Sequence, residues 1–220
     1  MIGNNVPPVS HLSKISLCFV VIGICAFFIS GCESSGNKLF SKVSSSSSNI
    51  EFRNHLVEDE EFNVLNYPYF YNGGGVAVGD INNDGLPDIL FTGNMVKNRL
   101  YLNKGNFEFE DITEKSTVAS KQGWCTGTTM ADVNGDGWLD IYICRSADGD
   151  RKRRRNLLFI NNHDNTFSEQ AEKYGIADEG YSTHAVFFDY DKDNDLDLVV
   201  INHSLKEYMQ GAQEKPGIRQ

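Results

Sequence analysis

The sequence lacks the marks of several large functional classes. It has no basic excess: 20 lysines and arginines stand against 30 aspartates and glutamates, a formal net charge of −10. A nucleic-acid-binding surface is normally basic, so nucleic acid is excluded as a partner. There is no CxxC pair and no Cys/His cluster at zinc spacing. Of the five cysteines, Cys18, Cys25 and Cys32 lie in an N-terminal apolar segment, and only Cys125 and Cys144 lie further on. The apolar run from Ile15 to Ile29 is too short for a bilayer span, which takes roughly 20 residues. No catalytic constellation stands out. His184 and His203 have no Ser or Cys partner at a recognisable motif spacing, and no paired carboxylates stand apart from the acidic loops described below. The chain reads as a protein that is not an enzyme by itself.

What is present begins with an address. The run Ile15–Ile29 follows Lys14, carries no charge and has the length of a signal-peptide apolar core. Ile29-Ser30-Gly31-Cys32 resembles a bacterial lipobox. That resemblance implies cleavage before Cys32, lipid on Cys32, membrane attachment through that lipid, and a place in the cell envelope, as an outer-membrane lipoprotein or a secreted protein. The alternative is a plain signal peptide or uncleaved anchor, with Cys32 incidental. Residues 34–49 are Ser-rich with no apolar period, and read as a flexible tether. The expected organisation is a lipoprotein signal peptide over 1–31, a Ser-rich tether over 32–49 and a repeat region over 50–220.

Gly, Asn and Asp cluster between short β-branched and aromatic runs, an all-β signature. Self-similarity sharpens it. Gly75-Val-Ala-Val-Gly-Asp80 leads into an acidic loop and Asp88-Ile-Leu-Phe. Gly127-Thr-Thr-Met-Ala-Asp132 leads into a second loop and Asp140-Ile-Tyr-Ile. His184-Ala-Val-Phe-Phe-Asp189 leads into a third and Asp197-Leu-Val-Val. Between loops, Asn98-Arg-Leu-Tyr-Leu-Asn103 with Phe107 answers Asn156-Leu-Leu-Phe-Ile-Asn161 with Phe167. Each unit reads strand, acidic loop, strand, turn, strand, turn, strand. Four short strands in roughly 50 residues is the size of a β-propeller blade. A blade cannot bury both faces alone, so neighbouring units must stack.

The loops share the core D-x-[DN]-x-D-[GN]-x-x-D. If the chain wraps around a point, side-chain oxygens converge from positions 1, 3, 5 and 9: Asp80, Asn82, Asp84 and Asp88; Asp132, Asn134, Asp136 and Asp140; Asp189, Asp191, Asp193 and Asp197. Position 7 adds only a backbone carbonyl, from Leu86, Trp138 or Asp195. Six to eight oxygens in a flexible arrangement suit Ca²⁺. Position 6 must turn sharply, which Gly85 and Gly137 do freely and Asn194 does best among other residues. Solvated acidic turns without metal are the plainer alternative. Three such loops in register argue against it, because carboxylates packed together repel unless a cation neutralises them. An EF-hand would need a Glu at position 12, where this chain has Phe91, Ile143 and Val200.

On these residues the sequence resembles the FG-GAP/VCBS repeat family, the blade unit of integrin-α-like propellers, over about residues 50–205. The stretch Tyr71-Asn-Gly-Gly-Gly-Val-Ala-Val-Gly-Asp80, the three loops and the Asn-x-Leu-[YF]-[LI]-Asn segments carry the match. They are similar to bacterial relatives of cartilage acidic protein. The resemblance implies a seven-bladed propeller with calcium in blade hairpins. It does not fix a ligand; a glycan or a protein stays open. The residues after Ile50 make room for roughly three blades, against the four to eight of closed propellers, so a longer protein is expected.

Four lesser features complete the reading. Arg151-Lys-Arg-Arg-Arg155 is read as a solvated loop tip, or else a phosphate or acidic-glycan site. Glu58-Asp-Glu-Glu61 is read as a solvated turn. Tyr67, Tyr69, Phe70 and Tyr71 line a sugar site or pack at a blade edge. Cys125 and Cys144 flank one hairpin, paired by a disulfide or held on opposite faces by its register. Two functional classes follow. One is a calcium-binding scaffold for binding or adhesion at the cell envelope. The other is the propeller portion of a larger polysaccharide-degrading enzyme whose catalytic residues lie elsewhere.

Overall fold

The computed structural model describes residues 39–60, 62–119 and 123–204. The lipobox, Cys32 and the apolar run before it lie outside the described residues. The chain divides into two units, Met1–Lys42 and Val43–Gln220. All the sheets belong to the second. Within the stretch read as a tether, α1 (Ser45–Ser48) is one turn of helix, started by Ser44 Oγ accepting the Ser47 N–H at 3.2 Å.

The protein is all-β, built of antiparallel four-stranded sheets in the manner of propeller blades. The first sheet is β1 (Val76–Gly79), β2 (Asp88–Phe91), β3 (Arg99–Asn103) and β4 (Phe109–Asp111), paired in that order. α2 (Thr113–Ser116) follows it. The second sheet is β5 (Trp124–Ala131), β6 (Asp140–Ser146), β7 (Leu157–Asn161) and β8 (Phe167–Glu169), again in chain order. α3 (Arg151–Arg154) lies between β6 and β7. A third hairpin pairs β9 (Ser182–Phe188) with β10 (Asp197–Asn202). The register puts each loop in the same place. Position 9 opens the return strand and faces the residue just before position 1: Asp88 faces Gly79, Asp140 faces Ala131, and Asp197 faces Phe188.

The two four-stranded sheets and the third hairpin stack as strand alternation demands. Ile141, Ile143, Phe159 and Phe167 point from one face of the second sheet into a core shared with Leu90, Leu100, Leu102 and Ile112 of the first. Tyr142, Cys144, Leu158 and Ile160 point from the other face toward Ala185, Phe187, Leu198 and Val200 of the third hairpin. Every residue of β6 is therefore buried, as in strands covered on both sides. Burying one such aliphatic or aromatic side chain is worth about 1.5–3 kcal/mol, so the inter-sheet layers dominate stability. β1 packs beside β5, and β5 beside β9. Gly127 lets the last pair approach: a Cβ there would stand 2.5 Å from the Thr183 carbonyl oxygen.

The same strand settles the cysteines. Cys125 pairs with Arg145 and Thr128 with Ile143, so two residues bulge opposite one. Cys125 enters the first core and Cys144 the second. They are free thiols, buried on opposite faces of one sheet.

The basic run is not a solvated loop tip throughout. Arg154 is only 5% exposed. Its guanidinium donates to the carbonyls of Asp148, Gly149 and Glu179 and lies 4.2 Å over the Tyr181 ring. Arg155 pairs with Glu172 and, at 2.9 Å, with Glu179. One helical turn, capped by Asp150, turns every side chain to a different direction, and one of four must face inward.

Candidate cation-binding loops

The three loops turn alike because positions 1 and 5 catch the same backbone groups, save that Asp80 and Asp132 Oδ1 accept the position-5 N–H at 3.1 Å whereas Asp189 Oδ1 accepts the Lys192 N–H at 2.6 Å. Asp80 Oδ2 accepts the Gly85 N–H at 2.7 Å, Asp132 Oδ2 that of Gly137 at 2.8 Å, and Asp189 Oδ2 that of Asn194 at 3.3 Å. Position 5 accepts from position 7: Asp84 from Leu86 and Asp136 from Trp138, each at 2.9 Å, and Asp193 from Asp195 at 3.0 Å. The position-6 residues Gly85, Gly137 and Asn194 sit at φ of 85°, 86° and 72°, the left-handed turn expected there. Position 4 is left-handed as well, at Asn83, Gly135 and Lys192. That was not legible, since only Gly135 announces it.

Position 9 holds loop to blade. Asp88 is fully buried; its Oδ2 accepts the Ile81 N–H at 3.0 Å and its Oδ1 that of Asn103 at 2.8 Å. Asp140 repeats this with Val133 at 3.1 Å and Asn161 at 2.8 Å. In the third loop Asp197 Oδ2 accepts the Tyr190 N–H at 2.8 Å. Burial pushes the Asp88 carboxyl up to about 6, against the pull of those two N–H groups. Burial raises Asp140 likewise.

The third loop gathers carboxylates most closely. One oxygen each of Asp189, Asp191 and Asp197 lies within 4.8 Å of the others. Asp193 stands outside that trio, and its charge, followed by a hydrogen bond between the two carboxyls, pushes the Asp195 carboxyl up. Among the described residues the first two loops do not bring three carboxylates so near. Asn82 and Asn134 occupy position 3, and each amide donates to the position-5 carboxylate, at 2.9 and 2.8 Å. No lysine or arginine pairs with a loop carboxylate among the described residues. The one basic partner among the described residues is His163, whose Nε2 lies 3.0 Å from Asp136 Oδ2 while its ring stacks on Trp138 at 4.7 Å. That hydrogen bond holds the Asp136 carboxyl below the usual range. Hard oxygen donors converging without a fixed countercharge fit a hard divalent cation.

Sequence spacing alone assigns no role to His163, Asn103 or Asn161. Only the recurrence of Asn at the ends of β3 and β7 signalled the last two. The aromatic stretch divides: Tyr67 and Phe70 pack with Trp124 in a small core, and Tyr71 is exposed. A cavity of about 350 Å³ opens beside them, walled by Tyr67, Tyr69, Trp124, Gly75, Thr126 and His184. His203 Nε2 lies 3.2 Å from Ser146 Oγ and 3.3 Å from Tyr67 Oη. Ser146 is fully buried beneath this contact, so the pair closes a polar gap in the core and presents no nucleophile to a substrate.

Comparison with known proteins follows the same lines. The chain is 39% identical to cartilage acidic protein 1 of Xenopus tropicalis over 72 residues, 32% of this chain and 11% of that protein. It is 33% identical to integrin alpha-8 of Gallus gallus over 104 residues, 40% of this chain and 10% of that protein. It thus spans about a tenth of the length of these curated relatives. The family model of the FG-GAP-like repeat matches residues 80–143 and 146–200, which takes in all three acidic loops, and the chain belongs to the FG-GAP-like repeat family.

Proposed function

We propose that this chain is a calcium-loaded, non-catalytic repeat module that serves as a binding or adhesion scaffold at the cell envelope. The observation that carries the reading is the third loop's cluster, with the Asp189, Asp191 and Asp197 oxygens within 4.8 Å of one another, on a turn that the other two loops share. Each cation would be held by the position-1, -3, -5 and -9 side chains and the position-7 carbonyl. A bound Ca²⁺ supplies charge neutralisation and a fixed loop shape. The chain's own part is to aim the oxygens, which it does through the N–H groups of Gly85, Gly137 and Asn194. Likeness to an integrin α chain supports the adhesive role. The ligand belongs to the glycan or protein class, and the aromatic wall of Tyr67, Tyr69 and Trp124 offers ring faces suited to a sugar. Attachment to the membrane falls to lipid on Cys32.

Two experiments test this. Thermal unfolding in Ca²⁺ and in EDTA should differ by several degrees, because an ion that binds only the folded loops stabilises them; coincident melts would remove the calcium assignment. Replacing Cys32 by Ser should move the protein from the membrane to the soluble fraction. Unchanged fractionation, with no lipid mass on the wild type, would remove the anchor.

A further inference from the structure

We infer that the first two loops bind cations cooperatively and that Asn161 is the positioning residue that couples them. The inference rests on the cation reading of the loops. Asn161 ends β7 and is 3% exposed. Its backbone N–H donates to Asp140 Oδ1 of the second loop at 2.8 Å. Its Nδ2 carries two hydrogens and uses both. One goes to the Leu139 carbonyl of the second loop at 3.1 Å, the other to the Ile81 carbonyl of the first loop at 2.8 Å. Its Oδ1 is fixed by the His163 N–H at 2.9 Å. Every polar atom that could let the amide swing away is thus engaged.

Those two carbonyls sit at sensitive points. Ile81 lies between the position-1 and position-3 ligands of the first loop. Leu139 lies between the position-7 carbonyl and the position-9 carboxylate of the second. A second tie joins the loops at the surface, where Asn83 Nδ2 donates to the Gly137 carbonyl at 3.1 Å. Asn103, the counterpart in the first sheet, gives its N–H to Asp88 and its Nδ2 to the Pro87 carbonyl at 2.9 Å. It makes the same ties to its own loop. The bond that reaches the preceding unit is what Asn161 adds. Closing the first loop on a cation fixes the Ile81 carbonyl, which fixes the Asn161 amide, which fixes Leu139 and Asp140. The coupling free energy is shared, so each site must feel the other equally.

Excitation at the red edge of tryptophan absorption, where Tyr190 of the third loop absorbs little, makes the second loop separately visible, because Trp138 can sensitise luminescence from Tb³⁺ bound beside it. Trp124 starts the strand whose far end leads into that loop, roughly 20 Å away at the rise of a β-strand. The experiment titrates Tb³⁺ into the full chain and its variants, with circular dichroism to confirm folding. Asp84→Ala, which disables the first loop, should weaken Tb³⁺ at the second loop by about fivefold or more. In an Asn161→Ala background the same substitution should have a much smaller effect. An Asn161 that merely supported the second loop would lower its affinity and leave the response to Asp84→Ala intact, which overturns the proposal. Should Asn161→Ala fail to fold, the exposed Asn83→Ala carries the test: it should diminish the response, and an undiminished response counts against coupling. Sensitised emission indifferent to Asp84→Ala overturns the coupling and leaves the cation reading standing. No sensitised emission from the wild type overturns both.

Discussion

Asn103 donates its backbone N–H to Asp88 Oδ1 at 2.8 Å, joining the end of β3 to the last acidic position of the first loop. Because Asp88 Oδ2 also takes the Ile81 N–H, this carboxylate supports the blade as well as offering a ligand. Removing it strands two buried donors, each costing about 1–3 kcal/mol. In EDTA, Asp88→Ala should therefore lower unfolding free energy by about 2–6 kcal/mol. Asp84→Ala, at an exposed position, should change it by less than about 1 kcal/mol while still abolishing the first cation site. Denaturant titrations check this; equal losses for the two variants would show that position 9 has no special structural part.

The third loop should depend on calcium most for its order. Sites one and two each offer three carboxylates and an Asn amide, whereas site three offers four, with Asp191 in the Asn slot. Higher ligand charge raises affinity and also the repulsion left when the ion is gone. β10 is bonded only to β9 among the described strands, so little else holds it. Hydrogen exchange of β10 should slow more on adding Ca²⁺ than exchange of β2 or β6. Equal slowing of all three strands would contradict the charge argument.

Much of this could be read from the chain, and the reason is locality. The loop conformation is decided within nine residues, by carboxylates that catch N–H groups four or five positions on and by a left-handed turn at Gly85, Gly137 or Asn194. The alternation Ile141, Tyr142, Ile143, Cys144 shows a strand covered on both faces once stacking is assumed. What local spacing does not carry is non-local. Arg154 sits in a basic run that composition calls solvated, yet it bonds a carbonyl from Glu179. The bulge that directs Cys125 depends on pairing with β6. Asn161 and His163 act across loops that sequence spacing does not bring together.

Cys125 and Cys144 should be inert in the native state. Both are buried, and burial pushes the Cys144 thiol up to about 12, so almost none is thiolate at pH 8. Iodoacetamide should label neither until denaturant is added, and then label both. Intact mass without reduction should show two free thiols at these positions. Fast native labelling, or a bond between Cys125 and Cys144, would overturn the placement on opposite faces.

Arg154 should matter more than its neighbours. Its guanidinium serves three carbonyls and a ring face from a nearly buried position, whereas Arg151 is largely exposed with one long contact to Glu179. Arg154→Ala should cost about 1–3 kcal/mol, since it removes three part-buried hydrogen bonds and the contact with the Tyr181 ring. Arg151→Ala should fall within about 0.5 kcal/mol of wild type. If the basic run instead bound an anion, both variants would weaken that binding alike and neither would alter the unfolding curve.

Stability on the acid side should carry a signature of His203. Burial holds its imidazole below the ordinary value of 6.5, and its Nδ1 is a buried atom without a hydrogen-bond partner among the described residues. A proton added there would place charge among Tyr67, Tyr69 and Tyr181, whose rings lie 5.8, 4.1 and 5.4 Å away. The folded state therefore binds this proton less readily than the unfolded state. By linkage the contribution is intact above the unfolded value near 6.5 and is lost as pH falls through the lower folded value. Asp88 works in the opposite sense. Its folded value of about 6 lies above the ordinary 3.8, so its contribution in EDTA is present at low pH and lost as pH rises through that window. The two overlap, and a pH profile of the wild type alone would mix them. His203→Gln removes one and leaves the other. Subtracting its unfolding free energy from that of the wild type, in EDTA from pH 7.5 to pH 5, should give a difference that falls steadily below about pH 6.5. A difference that stays flat across that range would mean that His203 takes up its proton without strain, through a partner or a water path that the packing around it does not provide.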